Sequence, residues 1–115
     1  MKHFPDFFKN ALNRVQDAPE GMEGYWFEGE DGCQVVFWEN TSGGTVALHK
    51  HDFWEYCYVV EGCYEGIVDG KSIVLNPGDE CAIPPGVLHE GKHSANYRAI
   101  DIFGGPRIVR NTKKN

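Results

Sequence analysis

The stretch Gly43-Gly44-Thr45-Val46-Ala47-Leu48-His49-Lys50-His51-Asp52-Phe53-Trp54-Glu55-Tyr56-Cys57-Tyr58-Val59-Val60-Glu61-Gly62 places His49, His51 and Glu55 at close spacing. Side chains on a strand alternate between faces, so His49 and His51, two apart in an expected strand, point the same way. Glu55 opens the next apolar run after a bend at Asp52-Phe53-Trp54, which turns its carboxylate toward the same interior. Further along, Ile83-Pro84-Pro85-Gly86 forms a stiff turn that aims His89 inward. Three neutral imidazoles and one carboxylate suit a divalent transition metal (Fe, Mn, Ni, Co, Cu or Zn), whereas Ca or Mg would require more oxygen ligands. A six-coordinate ion held by four side chains keeps about two positions open, and its site has a formal charge of about +1, which favours an anionic ligand.

Around that stretch, residues 24–28, 33–39, 45–51, 55–61, 63–68, 71–75, 80–83, 87–91 and 97–103 read as short strands rich in Val, Ile, Tyr, Phe and Trp. Between them, Glu30-Asp31-Gly32, Asp69-Gly70 and Asn76-Pro77-Gly78-Asp79 supply the residues that tight turns need. Before them, Phe4, Phe7, Phe8, Leu12 and Val15 fall at helical spacing, so 5–16 is expected as an amphipathic helix ended by Pro19 and Gly21. The reading is an all-β jelly-roll barrel with one short N-terminal helix. Residues 1–20 would form the helix and its connection, 21–110 the barrel, and 111–115 a disordered tail.

Composition narrows the function. The 115 residues suffice for one domain. A formal charge of −6 opposes binding to nucleic acid or anionic lipid, and no run approaches the roughly 18 apolar residues of a membrane helix. Only the stretch from Arg107 to Lys114 is basic, which reads as a frayed end. No signal-peptide layout opens the chain, so a cytoplasmic home is expected. Cys33, Cys57, Cys63 and Cys81 lack close-paired spacing and read as free thiols. Cys57 shares the parity of Glu55 and should point into the barrel, either as a small core residue or as a thiol that tunes the site. Trp54, Tyr56 and Tyr58 would form an outward patch that buries against the N-terminal helix or a second subunit, making a homodimer the expected state.

An HxH pair alone is also the pattern of two surface histidines, and the wider spacing decides between the readings. Counted from Gly43, the chain reads G(x)5HxH(x)3E(x)6G, and counted from Gly78 it reads G(x)5PxG(x)2H. These resemble the two signature motifs of the cupin superfamily, small single-domain barrels in which the matching residues, His49, His51, Glu55 and His89, are the metal ligands. One position differs, because His93 stands where the second motif usually has Asn, and the resemblance therefore does not extend to the strand-edge contact of that Asn.

Near the C-terminus, alternation places Asp101 and Phe103 on one face and Ile100 and Ile102 on the other, with the apolar pair competing for the core. From spacing alone Asp101 is an exposed edge residue. The layout Asp101-x-Phe103-x-x-Pro106-Arg107, however, resembles the end of the small cupins that open the ring of unsaturated uronates. That resemblance implies Asp101 as general acid or base, Arg107 as a clamp on a substrate carboxylate, and Phe103, with Cys57, as pocket wall. This chain has Gly104-Gly105-Pro106 where those cupins usually read Ser-Pro, and Glu55 where they often use a more distant Gln. Three functions follow: a metal-dependent isomerase or lyase acting on a small anionic metabolite such as a sugar acid, a dioxygenase with a three-His, one-Glu iron site, or a non-enzymatic small-ligand-binding cupin.

Overall fold

The computed structural model describes residues 2–109. Nine strands follow in order: β1 (Glu23–Glu28), β2 (Gln34–Asn40), β3 (Gly44–His49), β4 (Glu55–Glu61), β5 (Tyr64–Val68), β6 (Lys71–Leu75), β7 (Glu80–Ile83), β8 (His89–His93) and β9 (Tyr97–Phe103). They form two antiparallel sheets packed face to face, one in the order β1-β2-β9-β4-β7 and the other β3-β8-β5-β6. The all-β reading is correct, and four strands, β4, β6, β7 and β9, have the expected bounds.

The expected N-terminal helix is absent. Two single 3₁₀ turns, Asp6–Phe8 and Ala11–Asn13, occupy its place, and the disordered tail expected at 111–115 lies outside the described residues. A helix of about twelve residues is marginal in water unless packing supports it. Here the local chemistry favours other partners. The Asn10 side chain accepts the Leu12 N–H at 3.0 Å, and the Glu39 carboxylate takes the backbone N–H of Phe4, Nζ of Lys9 at 3.2 Å and the His3 ring at 3.0 Å. Phe4 and Phe8 then stack on each other at 5.6 Å and pack edge-on against Phe37 of β2. Phe7 and Leu12, counted in the helical stripe, stay exposed. The segment therefore covers the outer face of β2 and leaves Trp54, Tyr56 and Tyr58 uncovered.

The core lies between the sheets in two clusters. Val15, Trp26, Val36, Trp38, Phe103 and Ile108 fill one end, and Cys57, Val59, Leu75, Tyr97 and Ala99 the other. Alternation on β9 sends Asp101 and Phe103 inward and leaves Ile102 on the surface, so the apolar pair loses the competition for the interior. Phe103, buried against Trp38 and Val36, supplies more apolar area than either isoleucine could. Beyond β9 the chain is held by a side-chain amide acting as a strand partner. Gln34 donates from Nε2 to the Ile108 carbonyl at 2.9 Å and accepts the Ile108 N–H on Oε1 at 2.8 Å. That anchor fixes Arg107 at the mouth of the barrel.

Candidate metal centre

Four separate segments deliver the expected ligands to one point. His49 is the last residue of β3, His51 lies in the connection that follows, Glu55 opens β4, and His89 opens β8. The strand expected at 45–51 thus ends two residues early. Between Val46, opposite Gly91, and His49, opposite His89, β3 advances three residues while β8 advances two. That extra residue is a bulge, and it turns the end of β3 toward the site. The His51 carbonyl then accepts the Gly86 N–H at 2.7 Å, tying the histidine connection to the proline turn, where Gly86 takes φ +79°. Turn and histidines are set by one backbone bond.

One ligand atom from each of His49, His51, Glu55 and His89 lies within 4.8 Å of the others. His49 Nδ1 sits 2.7 Å from the Ala47 carbonyl and His89 Nδ1 sits 3.0 Å from that of Val87. Donating at Nδ1 fixes the tautomer and leaves each Nε2 lone pair free to coordinate. Glu55 Oε1 is 3.3 Å from His89 Nε2 and 3.5 Å from His51 Nε2. Glu55 Oε1 and His89 Nε2 are nonetheless buried without a hydrogen bond. Two orphaned acceptors on a common centre form an arrangement that a cation completes, so these residues fit a divalent transition ion.

The charges are consistent with that fit. Burial lowers the His51 pKa, and only part of the fall is offset by Glu55, so the imidazole is neutral, as a ligand must be. Burial pushes Glu55 up, but the nearby His89 and His51 imidazoles outweigh it and hold the carboxyl below its usual range. Asp101 moves the other way. Burial first, and then the neighbouring Glu55 charge, raise its pKa well above 3.8. Trp38 Nε1–H donates to Asp101 Oδ2 at 3.2 Å and sets the rotation of the carboxyl.

Asp101, Phe103, Cys57 and Arg107 all line the same cavity as the four ligands, a space of about 80 Å³. The cavity opens past His49, His51 and Arg107 into a wider cleft of about 910 Å³ bounded also by Asp17, Lys50 and Asp52. Arg107 is not idle there: Nη1 holds Asp17 Oδ1 at 3.0 Å and Oδ2 at 3.1 Å, and the guanidinium lies 5.9 Å over the Phe103 ring. Burial drives the Cys57 thiol pKa sharply upward, so it is a protonated wall residue next to Tyr97, not a nucleophile. His93 is a buried residue of the inner face, its ring stacked on Tyr97 with centroids 4.7 Å apart.

Sequence reasoning missed Trp38, Asp17 and Tyr64. Trp38 could have been found from its parity with Val36 on an inward-facing strand. Tyr64 carried a fainter sign, an aromatic two residues before Gly66.

Comparison with known proteins agrees with this architecture. The cupin-domain family model matches residues 35–103. Quercetin 2,3-dioxygenase of Bacillus subtilis is 28% identical over 89 residues, 76% of this chain, and the chain spans about a quarter (24%) of that protein. The structure of KdgF from Halomonas sp. superposes with a TM-score of 0.70 at 24% identity, covering 87% of this chain and 93% of its own. An RmlC-like cupin from Shewanella frigidimarina gives the same TM-score of 0.70 at 26% identity over 90% of each chain. Both signature motifs lie within the matched span, and the chain belongs to the cupin family.

Proposed function

We propose that this chain binds one divalent transition metal through His49, His51, Glu55 and His89 and acts as an isomerase- or lyase-type enzyme on a small anionic metabolite such as a sugar acid. The observation that carries this reading is the pair of orphaned buried atoms, Glu55 Oε1 and His89 Nε2, beside a cavity that Asp101 also lines. When bound, the ion would supply Lewis-acid polarisation of a carbonyl or hydroxyl oxygen. The remaining work falls to the chain. Asp101, kept protonated by burial and by Glu55, gives or takes a proton at its carboxyl, with Trp38 holding the group in place. Phe103 closes one wall against water, and Arg107 receives a substrate carboxylate in exchange for that of Asp17.

The resemblance of Asp101, Phe103 and Arg107 to the ring-opening cupins supports an unsaturated uronate as substrate, its reacting end in the inner cavity and its remainder in the outer cleft. The likeness to quercetin 2,3-dioxygenase favours a second reading, an oxygen-using iron enzyme. The outward Trp54, Tyr56 and Tyr58 support a homodimer, and four unpaired cysteines suit a reducing cytoplasm.

Metal analysis of protein purified without a His tag tests the centre, with about one equivalent per chain expected. His49→Ala and His89→Ala should lose it, and full metal content in either variant would overturn the reading. Screening unsaturated uronates for absorbance loss, against oxygen uptake by the iron-loaded protein, separates the two chemistries.

A further inference from the structure

The inner end of the cavity carries a group that the proposed chemistry leaves unused. Tyr64 and Gly66 share the inward face of β5, and Gly66 stands directly opposite Gly91 of β8. This glycine pair leaves a slot on the inner face of the four-stranded sheet, and the Tyr64 ring lies in it. A Cβ on Gly66 would come 2.8 Å from the ring, and one on Gly91 would overlap the Tyr64 hydroxyl. The ring therefore runs along the sheet from its own position, opposite His93, toward Gly91, which is two residues from the ligand His89 on the same face. Its hydroxyl is brought toward the metal centre.

That hydroxyl makes no hydrogen bond among the described residues, yet Tyr64 lines the cavity and lies within electrostatic range of Asp101, Glu55 and Cys57. Tyrosine hydroxyls in interiors ordinarily find a partner. Burial also raises the phenol pKa, so the group is a neutral donor. At about 80 Å³ the inner cavity has room for several waters, which is the scale of a carboxylate with one further oxygen-bearing carbon.

From the glycine-slotted placement of its unpartnered hydroxyl in the metal cavity, we infer that Tyr64 is a ligand-binding residue that donates a hydrogen bond to the second oxygen of a small α-oxygenated carboxylate. The inference rests on the proposed metal centre and goes beyond it by naming the group that reads the ligand's second oxygen. His93, also on this wall, has both ring nitrogens buried without a hydrogen bond, which marks the inner end as polar space.

The test uses the full chain loaded with cobalt(II), with glycolate and acetate titrated against the visible spectrum of the ion. Tyr64→Phe should keep the cobalt content and melting temperature of the unsubstituted protein, bind glycolate about fivefold to tenfold more weakly, and bind acetate about as before. Unchanged glycolate affinity in Tyr64→Phe with cobalt retained would overturn the assignment. Equal loss for glycolate and acetate would also overturn it, by placing the bond on the shared carboxylate. Cobalt uptake with no response to glycolate in the unsubstituted protein would reject the ligand class while leaving the metal centre standing, and failure to take up cobalt would remove both.

Discussion

Asp101 and Glu55 sit side by side and titrate in opposite directions, and that difference divides their roles. Glu55 is drawn down by His89 and His51 toward its anionic form, while burial and the Glu55 charge push Asp101 up toward its protonated form. Replacing Asp101 with Asn preserves shape and the acceptor for Trp38 but removes the proton that moves. If Asp101 is the general acid, kcat on a responsive uronate should fall about 10²- to 10⁴-fold, with metal content unchanged. Steady-state kinetics with parallel metal analysis checks this, and full activity in the variant would end the ring-opening reading. All four positions that converge on the candidate metal centre were legible in the sequence, because motif spacing records which residues a turn brings together. The charge state of Asp101 was not. It depends on Glu55 of the neighbouring strand, which alternation alone cannot bring beside it.

At the level of single elements, the strands were readable and the N-terminal segment was not. Period-2 alternation survives in β4 and β9 because each pairs with strands on both sides, so packing and sequence pattern agree. The segment before β1 has the apolar spacing of a helix, but Glu39, 30 residues beyond Lys9, binds it in another shape. No local pattern reports such a contact. Burial raises the pKa of Glu39, but hydrogen bonds from His3, Phe4 and Lys9 outweigh burial and leave it lowered from 4.5. A carboxyl with a depressed folded pKa contributes stability above its unfolded pKa and loses that contribution as pH falls through the folded value. Glu39→Gln should therefore cost about 1–3 kcal/mol at neutral pH, and the difference from the unsubstituted protein should shrink below about pH 4.5. Thermal melts of both proteins at neutral and acid pH would show it, and a constant gap would mean that Glu39 does not act through its charge.

For the whole molecule, the outer face of the five-stranded sheet is covered at β2 by the N-terminal segment and left uncovered at β4 and β9. Trp54 and Tyr56 stack with near-parallel rings whose centroids are 5.9 Å apart, and Tyr58 and Ile102 continue the apolar area beside them. If that face joins two copies, sedimentation should give twice the mass of the chain, and Tyr58→Glu should give the mass of one. A single-chain mass for the unsubstituted protein would exclude the dimer. Among the described residues no helix is long and apolar enough to cross a membrane, in keeping with the sequence reading on that point.

The four residues of the candidate metal centre are also divided between the sheets. His49 and His89 belong to the four-stranded sheet and Glu55 to the five-stranded one, while His51 lies on the connection that passes between them. The hydrogen-bond ladders run within each sheet, so at this end side-chain packing holds the two leaves of the sandwich together. A bound ion would act there as a clasp across the seam. Its departure and the parting of the leaves would then be one event, and the slow opening of the barrel mouth would set how long the protein keeps its metal.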